Sequence, residues 1–270
     1  MRVRRNSAKR MAVATLSLIA LTACGRAPTT ASGGGDSLTR HLGGIVRGDT
    51  AQTRIALIFT GGSYGEGAEH ILDVLGRQGV KASFFVTGDY VSHEEFHHGL
   101  HRMVDEGHIL GPHSHAHLLY CSWDDRSETL VTEQEFKEDL EINIEQLRAF
   151  GAMADDGLIP FIPPFEWYNE DQVGWSDDMG LVLFNFTSGI GSHRDWAPEG
   201  HAAFRPSQQI FEDVLEFEET DEHGLNGALM LMHLGSQRED KMHPLLEPLI
   251  EELRARGYSF VRIDEMLGLR

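Results

Sequence analysis

Residues 71–88, ILDVLGRQGVKASFFVTG, join the second half of a helical segment to a buried strand and to the loop after it. Apolar residues recur at helical spacing over residues 68–78, and Gly79 follows as a stop signal. Residues 82–86 are a short apolar run, which is typical of a strand buried on both faces. This stretch therefore predicts one helix–strand unit of a parallel sheet.

The same alternation of apolar runs and helical segments continues along the chain and predicts seven strands. These strands are predicted at residues 55–59, 82–86, 108–111, 158–162, 181–185, 228–232 and 259–262. Helices are predicted at residues 68–78, 94–106 and 133–150, the last with a capping box of Thr132 and Glu135. Seven parallel strands with helices between them predict a single α/β domain, a barrel whose closure is distorted or incomplete.

The N-terminus has the pattern of a secretion signal. A basic segment and a short apolar segment occupy residues 1–23, and Leu21 to Cys24 resemble a bacterial lipobox. This predicts a lipid anchor on Cys24 at the cell envelope, facing the periplasm or the exterior; an ordinary secretory signal is the alternative. Residues 24–51 are rich in Gly, Ser, Thr and Pro and predict a flexible linker, so the folded domain is predicted at 52–270.

Charge and cysteine content restrict the partners. The formal net charge is −19, which opposes binding to nucleic acid and other polyanions. If Cys24 carries a lipid, Cys121 has no partner for an internal disulfide, and we interpret it as a buried structural thiol. The expected contact with a membrane is through the lipid anchor only, and no nucleic-acid partner is expected.

Histidines follow two of the predicted strands. The loop GPHSHAHL after the third strand carries His113 and His117, four residues apart, so that one turn can place both imidazoles on the same metal ion. His233 ends the strand ALMLMH. Carboxyl ends of parallel strands meet on one face of a barrel, where sites are built. The alternative is a polar loop without a ligand, since the chain has 15 histidines.

Four motifs occur in order on these strands: ILDVLGRQGVKASFFVTG, HSHAH, PPF and LMH. Together they resemble the polysaccharide deacetylases of the NodB-homology type, carbohydrate esterase family four, over about residues 54–267. The resemblance implies a distorted seven-stranded barrel that removes N-acetyl or O-acetyl groups from glycans with a divalent metal, zinc or another transition metal. It implies that His113 and His117 bind the metal, that His233 is the general acid, and that Asp195 belongs to the family's late Asp-Trp element.

Two motifs depart from the family pattern. The family's Thr-Phe-Asp-Asp-Gly appears as IFTGG at residues 58–62, so Thr60 stands in place of the catalytic base and Gly61 in place of the metal-binding aspartate. The family's Arg-Pro-Pro-Tyr appears as IPPF at residues 162–165, without the arginine. Base and arginine are lost together, as expected if each compensates the charge of the other.

Two glutamates in strand-end loops are candidates to replace the missing carboxylates. We predict Glu66 as a metal ligand and Glu166 as a catalytic group, because either acid can serve as ligand or base and both follow predicted strands. The alternative is that each is a solvated loop residue in a chain with 42 acids.

Aromatic residues in the same loops predict a sugar-binding surface, because sugar rings stack on aromatic faces. The predicted substrate contacts are Phe165, Trp167, Tyr168 and Trp196, with Tyr120 and Trp123 as a possible extension of the groove. The alternative is that these side chains serve in packing.

Two functions follow from these patterns. The first is a metal-dependent hydrolase that removes acetyl groups from a polysaccharide or oligosaccharide at the cell envelope. The second is a non-catalytic relative that binds carbohydrate on the same face. Strand-end histidines favour the first function, since buried imidazoles without a role carry a desolvation cost. Loss of both aspartates favours the second.

Overall fold

The structure is a computed structural model that describes residues 37–152 and 157–269. The predicted signal peptide, the lipidation site Cys24 and residues 24–36 of the predicted linker lie outside these ranges, and those assignments stay predictions. The described residues belong to one compact unit, Gly34–Arg270. Among them no helix has the length and apolar character needed to span a bilayer.

The described residues form nine strands and eight α-helices. The strands are β1 Thr39–His41, β2 Gly44–Arg47, β3 Arg54–Gly61, β4 Ser83–Val86, β5 Ile109–Pro112, β6 Ile159–Phe161, β7 Leu181–Leu183, β8 Ala228–His233 and β9 Ser259–Val261. The helices are α1 Ala68–Gln78, α2 Gly88–Ser92, α3 His97–Asp105, α4 Glu133–Arg148, α5 Glu170–Asp178, α6 Ser207–Thr220, α7 Leu246–Ala255 and α8 Ile263–Leu267.

β3 is the centre of the sheet. Strands β5, β4, β3 and β8 are parallel neighbours in that order. β8 pairs with residues 55–60 along one edge of β3. Two strands share the other edge: β9 pairs with residues 54–56 and β4 with residues 58–61. β6 and β7 form a separate parallel pair. All seven predicted strands are therefore confirmed, and the barrel is distorted because two strands share one edge.

The folded domain begins earlier than the sequence analysis expected. Residues 39–47, placed in the flexible linker, form the antiparallel hairpin β1–β2. Its Ile45 is buried in the barrel interior, and the backbone N–H of Asn185, after β7, donates to the carbonyl oxygen of Ile45 at 2.7 Å. Gly48 N–H donates to the carbonyl oxygen of Gly227 before β8 at 2.8 Å. The hairpin thus connects β7 with β8, and the boundary predicted at Gln52 is wrong.

Side chains of β3 alternate between two apolar layers. Ile55, Leu57 and Phe59 pack with the outer helices, whereas Ala56 and Ile58 pack inside the barrel. A strand covered on both faces needs apolar residues at every position, which explains its continuous apolar run. The same alternation, carried to the end of the strand, decides which side chains face the cavity described below.

The predicted helices are confirmed with local differences. α1 ends where Gly79 adopts a left-handed backbone, φ 60°, and the capping box of Thr132 and Glu135 begins α4. The helix expected over residues 94–106 is divided into a 3₁₀ turn, Glu94–Phe96, and the α-helix α3. The loop after β5 packs against α4, and this contact positions the histidines.

We expect a chain that begins at Gln52 to have a free energy of unfolding at least about 3 kcal/mol below that of a chain that begins at Ser37. Loss of the hairpin removes the buried side chain of Ile45 from the core. It also removes Arg47, whose guanidinium donates to the carbonyl oxygens of Asn226 and Gly224. Urea unfolding followed by circular dichroism measures the difference.

The matched control for the truncation is Arg40→Ala, in the same hairpin. Arg40 is exposed and donates to the carbonyl oxygen of Gly43, so we expect a change within about 0.5 kcal/mol. Equal free energies of unfolding for the chains that begin at Ser37 and at Gln52 would show that the hairpin is dispensable.

Candidate active site

A cavity of about 610 Å³ opens at the carboxyl ends of the barrel strands. The loops after β3, β5, β6, β7 and β8 all contribute to its lining. The polar and aromatic residues that matter most for its chemistry are Thr60, His113, His117, Phe165, Glu166 and His233. The strand-end face predicted from the sequence is therefore the face with the cavity.

His113 follows β5, and its ring orientation is determined by the next strand. Its Nδ1 lies 2.9 Å from the carbonyl oxygen of Ile162, which can only accept a hydrogen bond, so Nδ1 holds the proton and Nε2 keeps a free lone pair. The ring centroids of His113 and His117 are 5.0 Å apart. The structure thus brings together, on one cavity wall, the two histidines that the sequence spacing paired.

The turn that carries both histidines is held by a buried carboxylate of α4. Asp139 accepts hydrogen bonds from Ser114 Oγ at 2.5 Å and from the backbone N–H groups of His115 and Ala116, both at 2.8 Å. These bonds compensate a strained backbone, since Ser114 and His117 have φ values of 72° and 53°. Asp139 therefore positions both imidazoles.

Asp139 was not identified from the sequence, and neither was Asn143, which accepts a hydrogen bond from the backbone N–H of His113 at 3.0 Å. A signal was available. Asp139 and Asn143 lie one helical turn from each other, on the stripe of α4 that also carries the buried Phe136 and Leu140. Polar residues on an apolar helix stripe require buried partners.

Both metal-site candidates are neutral imidazoles. Burial lowers the pKa of His113 well below its usual value, and the neighbouring His117 lowers it further. Burial, with a smaller effect of His233, lowers the pKa of His117 to about 4. At neutral pH both rings therefore keep the lone pairs that a metal ligand or a hydrogen-bond acceptor needs.

His233 ends β8 and has the opposite protonation preference. Its Nδ1 lies 2.6 Å from Asp195 Oδ1, and its backbone N–H donates to Asp195 Oδ2 at 2.9 Å. Burial by itself lowers the pKa of His233, but the charge and hydrogen bond of Asp195 outweigh it, so the pKa lies above its usual value. This is the arrangement of an imidazole held by a carboxylate as a proton donor.

Glu166 enters the cavity from the loop after β6, on a strained turn. Phe165 and Glu166 both adopt a left-handed backbone, with φ of 58° and 52°, which costs a non-glycine residue on the order of 1 kcal/mol. The carboxylate is 16% exposed, and its Oε1 lies 4.0 Å from His113 Nε2. Burial raises the pKa of Glu166 to about 7, against the opposing charge of His233. Strain and a perturbed carboxyl group together are typical of functional positions.

Glu66 does not join the histidines. Its carboxylate forms an ion pair with Lys241 and accepts a hydrogen bond from the backbone N–H of Ser236 at 3.0 Å. Burial raises the pKa of Glu66, but the hydrogen bonds from Lys241 and from the backbone N–H of Ser236, together with the charge of Lys241, outweigh this effect and the pKa is lowered. The expectation of Glu66 as a metal ligand is therefore corrected: this acid connects the loops after β3 and β8.

The two positions without aspartate, Thr60 and Gly61, face opposite sides of β3. Thr60 lies in the inward row of β3 at the same register as His233, and its buried hydroxyl has no hydrogen-bond partner among the described residues. Gly61 lies in the outward row, and a Cβ added there would stand 2.8 Å from Tyr90 Cδ2 and 2.9 Å from Leu234 Cδ1. The space for a side chain at residue 61 is thus filled by two fully buried residues.

The aromatic predictions divide into two groups. Phe165 and Trp196 line the cavity and are 43% and 41% exposed, so both are free to contact a ligand. Trp123 also lines it, as an extension of the groove. Tyr64 and His201 line it as well and were not identified from the sequence.

The other aromatic residues serve in packing. Tyr168 is fully buried and its hydroxyl donates to the carbonyl oxygen of His41 at 2.8 Å, so its prediction as a substrate contact is wrong. Tyr120 is also fully buried. Trp167 is half-buried and does not line the cavity; its indole N–H donates to the carbonyl oxygen of Ser122 at 3.1 Å.

The donors of the cavity fit a divalent metal in their chemistry. Two neutral imidazoles and one carboxylate are a ligand set that zinc accepts. Two donors on one ion, each at about 2.1 Å, stand roughly 3.4 Å apart in tetrahedral geometry, compared with 4.0 Å between His113 Nε2 and Glu166 Oε1. Within residues 37–152 and 157–269, no three His, Cys, Asp or Glu side chains are already grouped closely enough to hold an ion. Glu166 must therefore approach the histidines for a metal to bind.

Comparison with known proteins identifies the family. The polysaccharide deacetylase pattern matches residues 47–183. The chain belongs to this family. The peptidoglycan-N-acetylglucosamine deacetylase PgdA of Listeria monocytogenes is 29% identical over 219 residues, which are 80% of this chain and 39% of that protein. The peptidoglycan-N-acetylmuramic acid deacetylase PdaA of Bacillus subtilis is 25% identical over 236 residues, 86% and 78% of the two chains. The chain thus spans about two fifths of the Listeria protein.

Solved structures confirm the fold. PdaA of Bacillus subtilis, a family 4 carbohydrate esterase, superposes with a TM-score of 0.65 at 22% identity, covering 84% of this chain and 86% of that one. A CE4 family pseudoenzyme from Bacillus anthracis superposes with a TM-score of 0.64 at 21% identity, covering 83% and 68%. The predicted NodB-type barrel is therefore confirmed.

We expect Gly61→Ala to lower the free energy of unfolding by about 1–3 kcal/mol, because the new methyl group overlaps the buried side chains of Tyr90 and Leu234. The matched control is Gly62→Ala, whose Cβ would have only Thr87 Oγ1 at 4.0 Å. That variant should remain within about 0.5 kcal/mol of wild type. Urea denaturation measures both, and equal stabilities would contradict the packing of Tyr90 against Gly61.

We expect Glu166→Gln to stabilise the protein at high pH only. The pKa of Glu166 is raised from 4.5 to about 7 in the folded state, so the unfolded chain releases this proton first and stability falls as pH rises across that range. The variant should equal wild type below pH 4.5 and exceed it above pH 7 by about 3 kcal/mol. Urea unfolding across pH measures the difference.

Glu66→Gln is the control of opposite sign. The pKa of Glu66 is lowered, so its contribution to stability is present above its usual pKa and is lost as pH falls through the lowered value. This variant should therefore be less stable than wild type at neutral pH. The same pH profile for both variants would contradict the different environments of the two acids.

Proposed function

We propose that this protein is a metal-dependent hydrolase that removes acetyl groups from a saccharide of the cell envelope. His113, His117 and Glu166 would hold a divalent transition metal, and His233 would be the general acid. The observation that carries the proposal is the position of Glu166, a buried acid within 4.0 Å of His113 Nε2 on a strained turn of the cavity wall. It supplies a carboxylate to a cavity where Thr60 and Gly61 provide none.

The metal would supply Lewis-acid polarisation of the acetyl carbonyl when bound. Both imidazoles are neutral and therefore ready to serve as ligands without losing a proton. Asp139 keeps the loop between them in its strained conformation, so both imidazoles are held on one cavity wall and only Glu166 would have to approach them. Preorganisation of this kind avoids an ordering cost at the moment of binding.

His233 would protonate the departing nitrogen or oxygen of the sugar. A general acid must carry its proton near neutral pH, and Asp195 raises the pKa of His233 in spite of its burial. Asp195 uses both carboxylate oxygens on His233, which restricts the ring to one orientation. These contacts support His233 as the general acid for the leaving group, although the first motif has no aspartate.

The expected substrate is an acetylated polysaccharide or oligosaccharide. The relatives named above act on peptidoglycan by their names, and the formal net charge of −19 opposes anionic polymers such as nucleic acid. Exposed aromatic side chains on the cavity provide faces for sugar rings. A lipid anchor on Cys24, after the signal peptide 1–23, would keep the domain at the membrane surface near such a polymer.

A second function is favoured by the packing around Gly61. Tyr90 and Leu234 fill the space of a side chain there, so that position cannot regain an aspartate without repacking. A chain without any metal ligand at this strand end would be a carbohydrate-binding relative that does not catalyse. Metal binding and turnover by the present residues separate this function from the first.

We expect wild-type protein, stripped with chelator, to bind one zinc ion per chain in a calorimetric titration and to release acetate from N-acetylated or O-acetylated oligosaccharides. Glu166→Gln should lose stoichiometric zinc binding and lower the rate of acetate release by about 10² to 10⁴. Glu66→Gln is the matched control, since its carboxylate pairs with Lys241, and should keep both properties within about threefold.

The outcomes of this titration distinguish the two functions. Zinc binding that is lost in Glu166→Gln and kept in Glu66→Gln supports the hydrolase. Absence of zinc binding and of acetate release in wild type, together with retained oligosaccharide binding, would support the carbohydrate-binding relative instead. Zinc binding unchanged in both variants would exclude Glu166 as a ligand.

A further inference from the structure

Two histidines outside the cavity lie side by side. His70 belongs to α1, and His243 begins the 3₁₀ turn His243–Leu245 that precedes α7. Their ring centroids are 5.2 Å apart, and the ring planes make an angle of 52°. No local spacing connects these two residues, so only the fold brings them together.

The distance between the rings is the one that a shared metal ion requires. Two imidazoles on one tetrahedral ion, each with a ring nitrogen at about 2.1 Å, have their centroids roughly 5 Å apart. The pair proposed for the cavity metal, His113 and His117, has nearly the same separation, 5.0 Å. Because His70 and His243 are tilted rather than stacked face to face, both rings can turn a nitrogen toward one point.

Both rings are available to an ion. Within residues 37–152 and 157–269, neither imidazole takes part in a hydrogen bond or an ion pair. His70 is exposed, so an ion can reach the pair from solvent. Burial, with a smaller effect of His70, lowers the pKa of His243, so this half-buried ring keeps its lone pair at neutral pH.

The charges around the pair do not oppose a cation. Glu66 interacts electrostatically with one ring and Glu247 with the other. Two cations also lie nearby, but each is already paired with one of these carboxylates: Lys241 with Glu66, and Arg77 with Glu247. An ion on the histidines would therefore enter surroundings in which the positive charges are compensated.

The pair lies where two loops of the cavity meet. α1 follows the loop after β3, and the turn at His243 follows the loop after β8. Gly67 N–H donates to the carbonyl oxygen of Leu234 at 2.8 Å and joins the two loops. A Cβ added at Gly67 would stand 2.8 Å from His243 Nδ1, so the glycine lets the imidazole approach the start of α1.

We propose that His70 and His243 form a second transition-metal site, outside the cavity, whose ion connects α1 with the loop after β8. Among the described residues no third His, Cys, Asp or Glu side chain joins the pair, so water completes the coordination. Such a site takes ions that prefer imidazole, copper(II) more strongly than zinc. With two protein ligands it binds zinc more weakly than the cavity set of three, so the zinc titration above reports the cavity.

The test titrates chelator-stripped protein without an affinity tag with copper(II) by calorimetry. We expect two ions per chain in wild type, one in the cavity and one at this pair. His117→Ala should keep the ion at the pair, and its electron paramagnetic resonance spectrum should show two nitrogen ligands. Adding His70→Ala or His243→Ala to this variant should raise the Kd for copper(II) at least about tenfold. Thermal unfolding of each variant checks that the fold is retained.

His101→Ala, added to His117→Ala, is the matched control. His97 and His101 are also one helical turn apart, on α3, but both rings pack on Phe150. This substitution should change the Kd for copper(II) by less than about twofold.

The outcomes separate this site from the cavity. Copper(II) affinity kept after His70→Ala, or lost after His101→Ala, would overturn the second site and leave the proposed function standing. A single ion in wild type that His70→Ala removes and His117→Ala keeps would support the second site and contradict the cavity metal. Wild type that binds no copper(II) would overturn both.

Discussion

The burial of β3 from Ile55 to Gly61 is the constraint on which the other features depend. Three strands pair with it, and one of its edges is divided between β4 and β9. Because neither face of β3 meets water, each residue must belong either to the barrel interior or to the helix layer. The alternation places Thr60 toward the interior and Gly61 toward the helices, so two adjacent positions have unrelated environments.

The two positions without aspartate therefore lie in different environments. At Thr60 a buried hydroxyl lies in the cavity lining, whereas at Gly61 the neighbouring Tyr90 and Leu234 occupy the space of a side chain. Protein interiors pack with few voids, so a glycine at such a position is accompanied by larger neighbours. Glu166 lines the same cavity from the loop after β6.

Most of the fold could be predicted from the sequence, because strands and helices follow local periodicity. The seven predicted strands, the helix that Gly79 ends and the capping box of Thr132 are all present. The hairpin at residues 39–47 was not predicted, because its short and glycine-containing strands lack a strong local pattern. Its stability comes from contacts with β7 and β8, which lie far away in the chain.

The candidate site was predicted in part for the same reason. The spacing of His113 and His117 is local, and the structure brings both rings to one cavity. Tyr168 was misplaced, since a loop aromatic gives no sign of whether it faces a cavity or the core. Asp139 was overlooked, since an acid on a helix gives little sign that its partners are backbone N–H groups of a distant turn.

The sequence by itself determined the order of strands and helices, the pairing of the two histidines and the absence of aspartate at Thr60 and Gly61, because each is a property of neighbouring residues. Only the tertiary structure decided which acid meets the histidines. Glu66 and Glu166 look alike in the sequence, but Lys241, 175 residues away, binds Glu66, whereas the left-handed turn after β6 directs Glu166 to His113. Long-range contacts, which no local pattern encodes, made that choice.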